Sequence, residues 1–479
     1  MFRALICAIA VLLCATLTAP ASSSSASSAS RQQEAARAGY ARLVLPDSTI
    51  AKTVPFDLSG HVSTRGIKRA VVLEKKVARG TWLAVTRAKT DRDGTFTFQG
   101  VRLASTSRLR GRLPALRTRP EITTKTLFVR ANRQRGRLHE MPPVNQQGPV
   151  AAAPRNDTVV AAQFDPPVPR RRVLLETRVK GVWERFAVRR ADASGSAIFN
   201  VPAQAAYRAT AKRFKGVDEV RTTVARTKER PVIFEDTFDA PTLDPQWQDF
   251  AVRRGYPGGR RTCALSHSSQ RSVGDGVLRL GIGLDPTKSG EECVYPSADG
   301  TRSSPYLYQS QLSTLRSFRF THGIVAARMK FAPARGRHTA FWIQTDSRVP
   351  GEPEKGAEID VVEFFGDVEG TEQIGSFIHH LGSDGVPVKY GDLFQNMGDM
   401  KPPGDTWWDS FHVFSVAWTP TKYIFRVDGH EFYREDRGVS SAPQWLVLSA
   451  QVSDYELPYV TPENIDQESF VDWVRVWRR

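Results

Sequence analysis

The feature that most restricts the fold of this chain is a series of short runs rich in β-branched and aromatic residues. Turn-forming residues separate these runs, and no apolar repeat of helical period continues beyond a turn or two. Runs of this length and composition are typical of β-strands. The sequence therefore predicts an all-β protein whose C-terminal half is one large β-sandwich. The runs of that half are 277–280, 323–331, 340–344, 358–364, 411–418, 423–427, 445–450 and 470–477.

An internal repeat precedes this region. Each copy has a short apolar run that ends in Glu, then a segment that ends in Trp, then a turn that contains Gly. Trp82 precedes Gly94 by the same 12 residues that separate Trp183 from Gly195. Repeats of this kind, with a period of about 100 residues, predict two small immunoglobulin-like sandwiches without a buried disulfide. At matching repeat positions, we interpret the two tryptophans as core residues rather than as sugar-stacking platforms.

The changes in composition along the chain predict the domain boundaries. The two small modules are expected at residues 41–130 and 158–228, and a Pro- and Ala-rich linker at residues 131–157 separates them. The acidic and aromatic composition that begins near residue 231 marks the large sandwich, residues 231–479.

The N-terminal segment has the pattern of a secretory signal peptide at residues 1–22: a positive start, an apolar stretch and a small-residue cleavage site. A Ser/Ala-rich flexible linker, residues 23–40, follows it. A membrane anchor is the alternative, but the apolar stretch is short for a span. The protein is thus expected to be secreted, extracellular or associated with the cell wall. In an exported chain, Cys263 and Cys293 are expected to form a disulfide, with two free thiols as the alternative.

The net positive charge of the protein belongs to its N-terminal part. Residues 31–230 contain 41 Lys and Arg against 16 Asp and Glu, whereas residues 231–479 contain 25 against 34. Such a positive field attracts polyanions. For an exported protein the expected partner is an anionic cell-wall or matrix polymer rather than nucleic acid, and simple solubility is the alternative. The protein is expected to be a monomer.

The segment with the most chemical information is the acidic run within residues 356–366. On a strand, Glu358 and Asp360 share a face, and Glu363 faces the opposite way unless one extra residue, a β-bulge at Val361-Val362, returns it. Three acids in one row suit glycoside cleavage with retention of configuration, in which one carboxylate is the nucleophile and another carboxyl is the acid/base. A metal site and a solvent-facing acidic edge are the alternatives.

This acidic run resembles the bulged Glu-x-Asp-x-x-Glu signature of glycoside hydrolase family 16. The resemblance implies a concanavalin-like β-jelly roll with Glu358 as nucleophile, Asp360 as its assistant and Glu363 as acid/base. It also implies that Trp342 binds substrate, with core packing as the alternative, and that one of the adjacent His379 and His380 does so, of which His380 is the better match. Other segments resemble the family's strands in the same order, namely 234–239, 323–330, 340–342, 411–420, 425–429 and 471–476.

Two departures from this family limit what the resemblance implies. His338 and Thr339 stand where β-1,3-glucanases of the family usually have Trp-Pro, so the polysaccharide is not identified. Thr237 replaces an acidic residue that helps to bind a structural calcium ion, so that ion is allowed but not expected, and no cofactor or metal is predicted. The expected function is a retaining endo-acting glycoside hydrolase that acts on a polysaccharide. A transglycosylase and a non-catalytic glycan-binding protein are the alternatives.

Overall fold

A computed structural model of the chain describes residues 41–478, except residues 46–48, 64–67, 78–79, 118, 147, 149–157, 250–259, 347, 369 and 396. The predicted signal peptide and the linker that follows it lie outside the described residues. The chain divides into two units, Met1–Asn132 and Arg133–Arg479. Among the residues that the structure describes, no helix has the length and hydropathy that a membrane span requires.

The first module, residues 41–132, is a two-sheet β-sandwich. Its strands are β1 (Ala41–Val44), β2 (Thr49–Ala51), β3 (Phe56–Val62), β4 (Ala70–Lys76), β5 (Trp82–Lys89), β6 (Thr95–Val101), β7 (Ser107–Leu113), β8 (Ile122–Thr123) and β9 (Leu127–Asn132). The smaller sheet has the order β1-β3-β6 and the larger sheet the order β2-β9-β7-β4-β5, with β8 paired to β7. Alternate residues of both sheets, among them Leu58, Leu73 and Leu109, form the buried core.

The second module, residues 135–226, repeats this arrangement. Its strands are β10 (Arg135–Met141), β11 (Thr158–Asp165), β12 (Arg172–Val179), β13 (Val182–Arg190), β14 (Ser196–Val201), β15 (Ala206–Ala211), β16 (Val220–Arg221) and β17 (Ala225–Arg226). The smaller sheet has the order β10-β11-β14, and the larger sheet has the order β13-β12-β15-β16, with β17 paired to β15. Strand β10 lies within the segment that was predicted as a linker. Its exposed residues alternate with more buried ones, and it completes the smaller sheet by pairing with β11.

The two repeat tryptophans do not lie in the module cores, so the interpretation as core residues is wrong. Trp82 and Trp183 are half-buried on the outer face of each larger sheet. The guanidinium carbon of Arg110 lies 4.2 Å from the Trp82 ring centroid, and that of Arg208 lies 4.4 Å from the Trp183 ring centroid. A stacked arginine covers each indole, which explains how a large apolar ring is accommodated on a solvent-facing sheet surface.

The C-terminal domain, residues 231–478, contains two large sheets. Its strands are β18 (Val232–Asp236), β19 (Gln248–Asp249), β20 (Ala264–Ser266), β21 (Arg271–Gly274), β22 (Val277–Leu280), β23 (Ile282–Leu284), β24 (Glu292–Ser297), β25 (Gly300–Pro305), β26 (Leu307–Ser313), β27 (Gly323–Lys330), β28 (His338–Gln344), β29 (Glu358–Phe364), β30 (Ile374–Leu381), β31 (Pro387–Phe394), β32 (His412–Thr419), β33 (Lys422–Val427), β34 (His430–Glu435), β35 (Trp445–Gln451) and β36 (Ser469–Trp477). Short 3-10 turns lie at Ser268–Gln270, Pro286–Lys288, Pro353–Lys355, Met397–Met400 and Leu457–Tyr459.

These strands form a jelly-roll sandwich. The eight-stranded sheet has the order β21-β22-β36-β27-β32-β33-β34, with β18 paired to β36. The nine-stranded sheet has the order β19-β26-β35-β28-β29-β30-β31, with β20 and β23 paired to β26. The buried core between them includes Val325, Phe341, Val416 and Leu448. Cys263 and Cys293 form a disulfide with a Cα–Cα distance of 5.6 Å, which links the start of β20 to the hairpin of β24 and β25.

The second module is docked on the eight-stranded sheet of the C-terminal domain. Four apolar residues of the module segment, Met141, Val144, Val159 and Ala161, share one buried cluster with residues of that sheet, namely Ala326, Val413, Trp473 and Trp477. Arg328 lies inside this contact: it pairs with Asp472 at 2.5 Å and donates to the carbonyl oxygens of Gln146 and Gly148. The predicted linker therefore takes part in a buried interface.

Candidate active site

The three acids Glu358, Asp360 and Glu363, referred to as the acidic row, lie on β29 within the nine-stranded sheet. Opposite β28, Phe341 pairs with Val362 and Trp342 pairs with Asp360, so that Val361 is the extra residue of a bulge. Val361 and Val362 are both buried in the core between the sheets. Two consecutive core-facing residues shift the alternation by one, and Glu363 therefore joins Glu358 and Asp360 on the face directed away from that core.

Glu358 stands at the start of the row and has polar partners on neighbouring elements. Its carboxylate accepts a hydrogen bond of 2.6 Å from Gln344 Nε2, and Arg348 Nη2 lies 3.6 Å away. On the other side, His379 of β30 is its directly paired residue. The side chain is 21% exposed, so the carboxylate is held in one orientation while it remains accessible to a reactant.

Asp360 is the most buried acid of the row. Its Oδ2 lies 3.2 Å from His379 Nε2, and its side chain is 4% exposed. Burial, reinforced by the neighbouring Glu363 carboxylate, raises the pKa of Asp360 to about 7. Around neutral pH this carboxyl therefore retains a proton part of the time, which reduces the repulsion among the three adjacent acids.

Glu363 is paired with a histidine. Its Oε1 lies 2.7 Å from His338 Nε2, and the His338 ring is stacked on Phe365 with ring centroids 4.3 Å apart. Burial disfavours both charged forms, but their attraction outweighs it: the pKa of Glu363 lies below its ordinary value and that of His338 above. The opposing β30 residue is Gly375, where a Cβ atom would lie 3.3 Å from Glu363 Cβ.

Only one of the two residues expected to bind substrate lies on the same face as the acids. Trp342 is paired with Asp360 and donates from Nε1 to Ser449 Oγ at 3.1 Å. His380 lies on the opposite face: it is 7% exposed, and its ring centroid lies 5.5 Å from that of Tyr390. The expectation for His380 is therefore wrong, because alternation along β30 directs His379 rather than His380 towards the row.

Two residues of the site, His338 and Gln344, were not among the sequence-based candidates, and His379 was considered only as the alternative to His380. Gln344 lies two residues after Trp342 on β28, so the period of a strand places both on one face. The same argument extends to His338, four residues before Trp342. Once Trp342 is placed on the face of the acids, the strand period alone therefore identifies Gln344 and His338 as residues of the same face.

Oxygen atoms of Glu358 and Asp360 and a ring nitrogen of His379 all lie within 4.8 Å of one another. Such a group resembles a cation site, but its members already serve the acidic row, and we assign no metal to it. A fixed carboxylate at Glu358, a protonated neighbour at Asp360 and an acid/base candidate at Glu363 can together support nucleophilic displacement with proton transfer.

The chain is similar to several known proteins. Residues 286–467 match the family model described as Glycosyl hydrolases family 16. The Beta-glucanase of Rhodothermus marinus is 26% identical over 275 residues, which are 52% of this chain and 85% of that protein. Glucan endo-1,3-beta-glucosidase A1 of Niallia circulans is 27% identical over 215 residues, which are 42% of this chain and 29% of that protein. The laminarinase catalytic domain of Thermotoga maritima is 19% identical, with a TM-score of 0.40, and the match covers 53% of this chain and 99% of that structure.

Proposed function

We propose that residues 286–467, which match the family model described as Glycosyl hydrolases family 16, belong to a catalytic domain of that family. In this domain Glu358, Asp360 and Glu363 catalyse the endo-acting, retaining hydrolysis of a polysaccharide. One observation carries the assignment of residues: the bulge of β29 sets three acids in one row and surrounds each with different partners. Two carboxyl groups with different proton affinities are the requirement for double displacement.

The proposed reaction has two steps. In the first, the Glu358 carboxylate attacks the anomeric carbon while Glu363 donates its proton to the departing glycosidic oxygen, which yields a glycosyl ester on Glu358. In the second, Glu363 takes a proton from water, and the resulting hydroxide displaces Glu358 with net retention of configuration. Gln344 and Arg348 hold the nucleophile, and a protonated Asp360 spares it a second adjacent negative charge.

The two curated relatives are named as β-glucanases, so β-glucans are the first substrates to examine. Galactans and acidic polysaccharides belong in the same panel, because His338 replaces an aromatic residue that β-1,3-glucanases of the family usually have. Trp342 is the proposed stacking residue for a sugar ring next to the acids. We further propose that the protein is secreted and monomeric, in keeping with its N-terminal segment and its disulfide.

The roles of the two glutamates can be tested by azide rescue. Variants Glu358→Ala and Glu363→Ala would be assayed on aryl β-glycosides of glucan and galactan oligosaccharides, with and without azide. Each change should lower kcat by several orders of magnitude on the natural polysaccharide. In Glu363→Ala, azide attacks the trapped ester and should yield a β-glycosyl azide. In Glu358→Ala, azide occupies the place of the missing nucleophile and should yield the α-glycosyl azide.

The two variants control each other, because the same reagent must give opposite configurations. Identical products from both variants would contradict the assigned roles. An α-product from Glu363→Ala would exclude the retaining mechanism. Nuclear magnetic resonance of the azide products reads the configuration directly.

A further inference from the structure

The outer face of the larger sheet in the first module is strongly basic. Strand pairing places Glu74, Trp82 and Arg110 on this face, and it sorts the other charged residues in the same way. Among the described residues of this face, seven cations accompany the central acid Glu74, and a second acid beside β8, Glu121, pairs with Arg112 at 3.1 Å. The cations are Lys76, Arg87, Lys89, Arg108, Arg110, Arg112 and Arg130.

The smaller sheet of the same module has a different surface. Its outward residues include Ser59, Thr95 and Thr97, with Arg42 and Asp57 as one cation and one anion. If the positive charge served only solubility, we would expect it on the outer faces of both sheets of the sandwich. The asymmetry indicates a directed surface.

The second module repeats the basic face. Its larger sheet has Glu176, Trp183 and Arg208 at the corresponding positions. Seven arginines lie on this outer face, namely Arg172, Arg178, Arg185, Arg190, Arg208, Arg221 and Arg226. Its smaller sheet is the one docked on the C-terminal domain, so the docked module still presents its basic sheet.

Each face has the same ordered centre. In the first module, Glu74 is 5% exposed and pairs with Arg110 at 2.8 Å and Arg112 at 2.6 Å. In the second module, Glu176 accepts two hydrogen bonds from Arg208, at 2.9 and 3.0 Å. The buried carboxylate and the stacked indole fix the guanidinium groups in the plane of the sheet, which reduces the entropy that they lose when an anion binds.

We propose that these two basic faces, the outer surfaces of the larger sheets of both modules, bind an acidic polysaccharide. Both faces carry cations spaced along several strands, and the face of the first module also exposes the aromatic ring of Phe128, which suits an extended chain of anionic sugars. The choice of a polysaccharide over nucleic acid or a membrane rests on the proposed function. A binding surface linked to a polysaccharide hydrolase raises the effective concentration of its substrate or of the matrix that contains it.

The test uses the full chain and a charge-matched control. The face variant combines Arg87→Gln, Arg108→Gln and Arg130→Gln, all exposed and outside the Glu74 pairs. The control variant makes the same change in net charge at exposed residues away from the sheet faces, namely Arg92→Gln, Arg117→Gln and Lys125→Gln. Binding to polygalacturonate and dextran sulfate, with neutral dextran as reference, is measured at several salt concentrations.

The face variant should bind both acidic polymers roughly tenfold more weakly than the unmodified protein, as expected for three exposed ion pairs. The control variant should lose less than about threefold, and salt should weaken all binding since exposed charges are screened over about 8–10 Å. Equal losses in the two variants, or binding that ignores salt, would overturn the proposal.

Two further measurements separate this proposal from others. A DNA duplex and vesicles with phosphatidylserine are tested with the same variants. Equal or tighter binding to either, with the same sensitivity to the face variant, would reject acidic polysaccharide as the occupant.

Hydrolysis of short neutral oligosaccharides should be unchanged in the face variant. Binding without any hydrolysis in the unmodified protein would reject the catalytic proposal and leave the basic faces standing.

Discussion

The ion pair between His338 and Glu363 links the proposed acid/base to the pH of the surroundings. Glu363 also feels the positive charges of His379 and Lys389, while Glu456 and Arg261 act on His338 from other elements. The net effect lowers the pKa of Glu363, so that this group gives up its proton at a lower pH than an isolated glutamate. Because the acid must be protonated for the first step, activity should fall on the alkaline side at a correspondingly low pH.

Replacing His338 by a neutral residue should reverse this effect. In His338→Gln the pKa of Glu363 rises, because the neighbouring positive charge is lost, and the alkaline limb of kcat/KM against pH should move to higher pH. His338→Lys retains a positive charge, and its alkaline limb should stay near that of the unmodified enzyme. Both profiles are measured on a short soluble substrate, and thermal unfolding confirms that each variant is folded. An unmoved limb in a folded Gln variant would contradict the ion-pair account.

Sequence reasoning placed the three acids on one face but not all of their partners. The spacing of the acids, together with the two adjacent valines, predicted a bulge in the strand. The structure has a bulge at that place. The error at His380 arose because a one-residue difference in register exchanges the faces of a strand. His338 was noticed only as a departure from a pattern, since nothing in a single sequence shows which loop or strand stands opposite Glu363.

At the scale of elements, the space around Glu363 depends on a glycine in the neighbouring strand. A Cβ atom at Gly375 would lie 2.7 Å from a ring carbon of Phe377 and 3.3 Å from Glu363 Cβ. Either Phe377, which pairs with Asp360, or Glu363 itself would have to move.

Gly375→Ala should therefore lower kcat by roughly ten- to a hundredfold, since a displacement of about 1 Å at a catalytic group has effects of this size. The loss of folding stability should be smaller, about 1–3 kcal/mol from overpacking. Gly398→Ala is the control, because a Cβ atom there meets nothing within 4 Å. Steady-state kinetics and thermal unfolding of both variants test this, and a fully active Gly375→Ala enzyme would show that the site tolerates the added methyl group.

Most strands of the C-terminal domain could be predicted from local composition. All eight apolar runs coincide with strands to within two residues at each end, for example residues 358–364 with β29 and 445–450 with β35. Strand β10 could not be predicted, because charged residues alternate with small and apolar ones beside a Pro-rich stretch. Its conformation is decided by pairing with β11, a contact that local composition does not encode.

At the scale of the molecule, the second module and the C-terminal domain share one apolar interface. Trp473 is fully buried and Trp477 is 2% exposed, although both lie on the side of the eight-stranded sheet that is turned away from its sandwich core. His430, the first residue of β34, also pairs with Asp192 of the second module. The change of composition near residue 231 therefore marks a chemical boundary but not the edge of the unit that contains the active site.

A chain that begins at residue 133 should hydrolyse short oligosaccharides at the rate of the full chain. A chain that begins at residue 231 exposes the two tryptophans and should lose about 3 kcal/mol or more of stability. For a domain of this size, that corresponds to a Tm lower by roughly 6–12 °C. Differential scanning calorimetry and activity assays on both chains check this. Equal Tm values would show that the interface contributes little to stability.

The bulge in β29 also constrains how such a site can change during evolution. A substitution alters one side chain, but only an insertion or deletion alters the face on which every later residue of the strand stands. Removal of one of the two bulge valines, Val361 or Val362, is the exception, because it restores regular alternation and leaves Glu363 on the face of Glu358 and Asp360, with Phe364 still in the core. The acids can therefore stay in one row with or without the bulge, and an interval of either four or five residues between the two glutamates keeps both on the face directed away from the core.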